Sequence, residues 1–303
     1  MIKVGVIGTG SMGRNHARVY SQLPDVSLVG VADVNRNLVQ SVAKEYNTAA
    51  FTEYPELLKQ GLDAVSIAVP TSLHKKVAID AAENGVDILL EKPISDTISN
   101  ARKIIEACEK NKVKLMVGHI ERFNPIVDVI KSRIDENTIS INIRRLGPLP
   151  PRVADVGVVV DLAIHDIDII RYITNSEFKK VYGLTSTNLS NHEDTAILSF
   201  EMENGILANI NANWLTPFKV REIDIAGKRN FIRGYFIEQK VIEYAKHEDN
   251  SYTTQEIPVK YAEPLKIELE KFVECVRQGK EPPISGHEAL KALEIAVRCL
   301  RSR

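Results

Sequence analysis

The segment Gly8-Thr9-Gly10-Ser11-Met12-Gly13 stands between an unbroken β-branched run, Ile2–Ile7, and an amphipathic stretch, Ser11–Gln22. Glycines at this spacing, directly after a strand and opening a helix, constrain the chain more than any other feature. The first allows a tight turn, the second lets the backbone approach a pyrophosphate, and the third lets helix and strand pack closely. The first N–H groups of a helix have no partner within it and face that anion. Asp33, twenty residues beyond Gly13, ends the second strand-like run. There its carboxylate can accept hydrogen bonds from the ribose hydroxyls or, alternatively, cap the next helix. The same charge repels a 2′-phosphate, so NAD is favoured over NADP, although Arg36 lies close enough to offset part of that preference.

The pattern that begins at the glycine loop repeats. Apolar runs at 27–32, 64–69, 86–90 and 113–117 alternate with helical periodicity at 35–46, 72–84 and 97–111. Runs this continuous are expected of strands buried on both faces, and strand, helix, strand repetition implies right-handed crossovers in a doubly wound parallel sheet. With 303 residues the chain has room for two domains, and the rhythm changes at Asn124-Pro125. The expected division is 1–120 for the dinucleotide-binding domain and 121–303 for a second domain. In the latter, a helix at 125–133 and a strand at 138–145 lead to the Pro-rich 147–151, which is expected to end regular structure. A helix at 159–173, strand-like segments from 178 to 257 with hairpin signals, and closing helices at 264–278 and 287–301 follow. Alternation is clear at 206–211, where Ile206, Ala208 and Ile210 share one face and Leu207, Asn209 and Asn211 the other.

Composition narrows the function classes. Thirty-nine Lys and Arg against forty Asp and Glu leave a formal charge of -1, so no basic field gathers nucleic acid or an anionic membrane. Cys108, Cys275 and Cys299 are far apart, without metal-binding or redox spacing, which fits a reducing cytoplasm and no bound metal. No apolar run approaches the length of a membrane span, and the N-terminus carries no secretory signal pattern.

Several clusters fall at the carboxyl ends of the later strands, where ligands bind in open α/β sheets. Val69, Pro70 and Thr71 follow the fourth strong run and can line the cofactor, with His74 beginning the next helix. Glu91-Lys92-Pro93 follows the fifth, and a lysine there can donate to a substrate hydroxyl and stabilise a developing alkoxide. Gly118 to Pro125 follows the sixth. On the helix at 159–173, Asp161 and His165 are four residues apart and share a face, whereas Asp166 points elsewhere. A carboxylate beside an imidazole holds one tautomer and suits the ring to accept a hydroxyl proton.

Taken together, these motifs resemble the Gfo/Idh/MocA family of NAD(P)-dependent sugar oxidoreductases. Gly8 to Gly13 is similar to its nucleotide loop, Glu91-Lys92-Pro93 to its lysine motif, and Asp161 with His165 to its aspartate and histidine signature. The resemblance implies a Rossmann domain followed by an α/β domain with an open, mostly antiparallel sheet that joins copies into a homodimer or homotetramer. It implies that Lys92, Asp161 and His165 act on one substrate carbon, that the Lys92-Pro93 peptide is cis, and that either His165 or Lys92 is the base. Two departures stand out: Ala163 replaces a glycine, and Gly157 followed by Val158 to Val160 replaces a glycine-rich lead-in. Within the family, Gly118 to Pro125 is similar to members that oxidise C3 of UDP-N-acetylglucosamine or its uronic acid. That similarity implies substrate contacts from Arg122, Asn124 and Arg145, with Arg144 and Arg152 as further cations for a diphosphate. The alternatives are a dehydrogenase of a free polyol or monosaccharide, an NAD-sensing regulator, and a non-redox interaction module.

Overall fold

The computed structural model describes residues 1–149, 156–249 and 251–302 and contains two sheets. The first has six parallel strands, β1 (Ile2–Ile7), β2 (Val26–Ala32), β3 (Ala49–Phe51), β4 (Ala64–Ile67), β5 (Asp87–Glu91) and β6 (Leu115–Gly118), in the order β3-β2-β1-β4-β5-β6. The order reverses between β1 and β4, which is the switch point of a doubly wound sheet. Val4, Val6, Val31, Val65, Ile67, Leu89 and Leu90 are all fully buried, as strands covered by helices on both faces require. The connecting helices are α1 (Ser11–Gln22), α2 (Arg36–Glu45), α3 (Tyr54–Leu58), α4 (His74–Glu83) and α5 (Ile98–Asn111). Asn35 accepts the Leu38 N–H and Thr97 the Asn100 N–H, so side-chain caps start α2 and α5. The periodicity does not reveal β3 or α3, because three and five residues are too few to establish a period.

The second sheet belongs to the unit that begins at Ile120. A 3₁₀ turn (Ile120–Phe123) leads to α6 (Pro125–Lys131) and β7 (Thr138–Pro148), then to a π-helical turn (Val159–Ala163) continued by α7 (Ile164–Thr174). Strands β8 (Phe178–Ser186), β9 (Thr195–Met202), β10 (Leu207–Asn213), β11 (Leu215–Gly227), β12 (Asn230–Tyr235), β13 (Lys240–Lys246) and β14 (Tyr252–Ile257) complete the eight-stranded order β14-β13-β12-β11-β7-β10-β9-β8. Every neighbouring pair is antiparallel except β7 with β10. Register stacks one apolar row, Ile223–Ile143–Ile210–Leu198, across the inner face. The opposite face carries the exposed pair Leu184 and Ile197 and the ion-paired Arg144 and Glu222. One correction concerns the Pro-rich segment: β7 continues through Gly147 to Pro148, whose missing N–H costs nothing at a strand end. Pro150 and Pro151 lie outside the described residues.

Two helices close the chain, α8 (Pro264–Gln278) and α9 (Gly286–Arg301). By its contacts the chain divides into one unit of Met1–His119 with Leu265–Lys291 and another of Ile120–Pro264 with Ala292–Arg303. The second domain expected at 121–303 is therefore interrupted, because Val117 donates to Ile284 and Met116 bridges Ser285 at the free edge of β6. In the second unit, the end of α9 lies against β8 at Gly183, where a Cβ would stand 2.3 Å from the Cys299 carbonyl oxygen. Backbone cannot yield there as a side-chain tip can. Gly183→Val is expected to lower unfolding free energy by about 1–3 kcal/mol, read as a lower urea midpoint, whereas the same change at Gly205, with open space but positive φ, tests backbone strain alone.

Candidate active site

The glycine loop divides its labour among three positions. Gly8 has φ of 88° and a Cβ there would lie 2.5 Å from the Ala68 carbonyl oxygen; at Gly13 a Cβ would lie 1.7 Å from the Gly8 oxygen. Those two glycines make the turn and its close packing possible. Gly10 has nothing within 4 Å of its would-be Cβ and starts α1 without a side-chain cap. The loop therefore presents open space and uncapped N–H groups at Ser11 and Met12, the combination a pyrophosphate needs. Asp33 is tied into this loop. One carboxylate oxygen accepts the Thr9 N–H at 2.7 Å and the Thr9 hydroxyl at 3.0 Å, and the other accepts the Asn35 N–H at 2.9 Å. The helix cap belongs to Asn35, not to Asp33.

Val69 and Pro70 follow β4, and the buried Thr71 opens a 3₁₀ turn that runs into α4. His74 is buried at the start of that helix, with Nδ1 2.9 Å from the Pro93 carbonyl and Nε2 3.0 Å from the Val69 carbonyl. It is a strut between two loops, and burial pushes its pKa down despite both carbonyls. The Lys92-Pro93 peptide is cis.

Two acids of the first unit, Glu91 and Glu268, lie buried within reach of each other's charge. Glu91 is within 3.0 Å of His16 Nε2 and accepts the Lys92 N–H at 3.2 Å. Burial alone would raise its pKa, but His16 and the Lys92 charge reverse that and hold it below the usual carboxylate range. Glu268, on α8, is fully buried, and neither of its oxygens has a hydrogen-bond partner. Burial, reinforced by the Glu91 charge, pushes its pKa well up and favours its protonated, uncharged form. Neither His16 nor Glu268 lies in a motif. A signal for Glu268 was nevertheless present, since it occupies the core stripe Leu265, Glu268, Leu269, Phe272 at helical spacing.

In the second unit Asp161 sits half-buried in the π-helical turn and His165 is buried in the first turn of α7. The turn is started by the loop before β9: Val158 N–H donates to the Glu193 carbonyl at 2.8 Å and Val159 N–H to the Glu193 carboxylate at 3.2 Å. A Cβ on Gly157 would lie 2.0 Å from that carboxyl group, so Gly157 is what admits Glu193 as a cap. This is the physical form of the unusual lead-in, and π-turns of this kind recur at functional sites.

Helix α7 is anchored by ion pairs. Asp166 accepts from Arg145 Nε at 2.8 and 2.9 Å, Arg145 Nη2 lies 2.7 Å from it as an ion-pair contact only, and Arg145 Nη1 donates to Glu121 at 3.0 Å. Burial would lower the Arg145 pKa, but Asp166 and Glu121 hold the guanidinium charged. Arg122 grips Asp168 with two nitrogens, and Arg171 grips Glu177 at 2.8 Å. Of the residues expected to meet substrate, Arg122 and Arg145 are thus engaged by carboxylates, and Arg144 pairs with Glu222 on the exposed face. Asn124 caps α6 and donates to the Phe236 carbonyl at 3.0 Å. Arg152 lies outside the described residues. Arg221 on β11 belongs to no sequence motif; among the described residues its guanidinium donates to the Leu146 and Val220 carbonyls, at 2.5 and 2.8 Å.

Two stability measurements check these assignments. Arg145→Met leaves Asp166 buried without its cation and is expected to cost about 3–5 kcal/mol in urea denaturation. Glu268 binds a proton in the folded state that the unfolded chain releases near its ordinary carboxylate pKa. The wild type is therefore expected to lose stability relative to Glu268→Gln as pH rises above about 4.5, by about 1.4 kcal/mol per pH unit until Glu268 itself ionises. A difference between the two that does not change with pH would show Glu268 to be charged.

Residues 2–119 match the model GFO_IDH_MocA, described as an oxidoreductase family with an NAD-binding Rossmann fold, and residues 139–233 match the GFO/IDH/MocA C-terminal domain. A UDP-N-acetylglucosamine 3-dehydrogenase of Acidithiobacillus ferrooxidans is 34% identical over 74% of this chain and 71% of its own length. A scyllo-inositol 2-dehydrogenase (NAD(+)) of Bacillus subtilis is 29% identical over 99% of this chain and 94% of its own. Among solved structures, the UDP-N-acetylglucosamine 3-dehydrogenase GnnA from Acidithiobacillus ferrooxidans superposes with a TM-score of 0.91 at 27% identity, covering 98% of this chain and 96% of that one.

Proposed function

Because the chain belongs to the Gfo/Idh/MocA family of oxidoreductases with an NAD-binding Rossmann fold, we propose that it oxidises C3 of UDP-N-acetylglucosamine or its uronic acid. The observation that carries this reading is that sequence and shape lead to the same kind of relative: a UDP-N-acetylglucosamine 3-dehydrogenase at 34% identity, and a structure of such an enzyme at a TM-score of 0.91.

NAD supplies a hydride acceptor when bound, and the protein's own part is orientation and proton handling. Gly8 to Gly13 and the start of α1 hold the pyrophosphate, Asp33 takes the ribose hydroxyls, and its charge selects NAD against NADP. Val69, Pro70, Thr71 and the His74 strut shape the loop beside the cofactor. Glu91, ionised and bonded to the Lys92 N–H, keeps the Lys92 backbone in place. Lys92 donates to the reacting hydroxyl oxygen, and either Lys92 or His165 removes its proton. Asp161 orients His165 or binds a neighbouring hydroxyl. The exposed face carrying Leu184 and Ile197 serves as the contact between copies in a homodimer or homotetramer.

A second reading, oxidation of a free polyol such as an inositol, is favoured by a specific observation. Arg122 and Arg145, expected to bind a diphosphate, are neutralised by Asp168 and Asp166. NADH absorbance after mixing protein and NAD with UDP-N-acetylglucosamine, its uronic acid, myo-inositol or glucose separates the two. Reduction by a UDP-sugar is the expected result, and reduction only by inositol would replace the first reading with the second. Lys92→Ala is expected to lower kcat at least about 100-fold with NAD affinity retained; near-normal turnover would remove Lys92 from the chemistry.

A further inference from the structure

We propose that Arg221 determines substrate choice by receiving an anionic group of the substrate, a phosphate or a carboxylate, within a cavity of the second unit. The inference rests on the reading that Asp161 and His165 handle the reacting hydroxyl. The cavity measures about 250 Å³ and is lined by Arg221, Glu121, Asn124, Phe236, Gln239 and Tyr261, among others. It has room for a sugar ring or a phosphate-sized group, not for a whole nucleotide-sugar.

What sets Arg221 apart is that no carboxylate pairs with it among the described residues. Among the described residues of this unit, the other arginines drawn into the interior each have one: Arg122 has Asp168, Arg145 has Asp166, Arg171 has Glu177 and Arg233 has Asp224. Arg221 spends a single terminal nitrogen on both of its carbonyl partners. The remaining edge of its planar fork is the geometry that grips phosphate and carboxylate oxygens in pairs. Burial and the neighbouring Arg145 push its pKa down to about 10, partly opposed by Asp166, Glu121 and Asp161, so it stays charged at neutral pH without a partner of its own. An anion supplied by a ligand completes it.

Three other polar side chains lining the cavity are already committed. Glu121 is bonded to Arg145, Asn124 donates to the Phe236 carbonyl, and Gln239 exchanges two hydrogen bonds with the Ala262 backbone. Arg221 also lies near enough to Asp161 to feel its charge. In the proposed arrangement the substrate sets its anionic end on Arg221 and turns its carbinol toward Asp161.

The test compares wild type, Arg221→Gln and Arg221→Lys, each shown to be folded by thermal melting and loaded with NAD. The substrates are UDP-N-acetylglucosamine, glucuronate and myo-inositol, which present a diphosphate, a carboxylate and no charge. Arg221→Gln is expected to reduce the ratio of kcat/KM for the anionic substrate over that for inositol by about 10- to 100-fold, mainly through KM, with partial recovery in Arg221→Lys. The anionic arm that collapses identifies the group. An unchanged ratio, or an equal loss on inositol, overturns the proposal. If the wild type oxidises no UDP-sugar, the proposed function has failed by itself. Arg221 is then judged by calorimetry with inorganic pyrophosphate and with glucuronate: binding by the wild type that Arg221→Gln abolishes supports the anion receptor, and no binding of either anion refutes it.

Discussion

The buried pair of Arg145 and Asp166 is the interaction around which the second unit is organised. Arg145 comes from β7, the strand that lies between β11 and β10, and Asp166 from α7, the helix that carries His165. Both side chains are essentially inaccessible, and such a pair gains little net stability over apolar packing, since desolvating two charges costs about what their attraction returns. Its effect is on orientation. Asp166 and Asp168 are two residues apart, about 200° around the helix, so Arg145 and Arg122 grip α7 from opposite sides. A helix held that way cannot roll, and His165, one residue before the first of these anchors, is fixed in direction by charges on either side of it.

The first unit uses the opposite device. Around Glu91, two acids are pushed in opposite directions by their surroundings: His16 and Lys92 favour the ionised form of Glu91, whereas burial without a hydrogen-bond partner favours the neutral form of Glu268. Environment-driven divergence of paired carboxyl groups is a mark of sites that handle protons. Here it also limits charge. Were both ionised, like charges would repel in a buried interior; a protonated Glu268 removes that penalty while leaving Glu91 as the anion that accepts from the Lys92 N–H.

Much of this was readable in the amino-acid order because it is local. The α1 and α8 boundaries, the parallel order implied by repetition, and the alternation along β10 follow from periods of two and 3.6 residues. The glycine loop was readable because each glycine answers a steric demand within a few residues or on the adjoining strand. What could not be read depends on partners distant in sequence. Arg122 and Arg145 look like free cations until folding brings Asp168, forty-six residues away, and Asp166, twenty-one residues away, against them. Gly157 looks like a weakened motif until Glu193, from a loop after β8, occupies the space that its missing side chain leaves. The return of α8 to the first unit is likewise decided by the edge of β6, which no local pattern announces.

The charges around the second unit's cavity bear on which carbon of a substrate reacts. In the proposed reading Arg221 supplies the positive end of the site and Asp161 the negative end, while Arg145 is already held between Asp166 and Glu121. A neutral polyol can satisfy Asp161 with any of its hydroxyls and turn freely between them. A substrate with one anionic end cannot, because repulsion from Asp161 and attraction to Arg221 act together to select a single polarity in the cavity. The reacting hydroxyl is then the one that lies at the right distance from the anion along the sugar. Regiochemistry in this reading comes from two fixed charges rather than from a tightly shaped pocket, and it requires the structural arginines to be neutralised first.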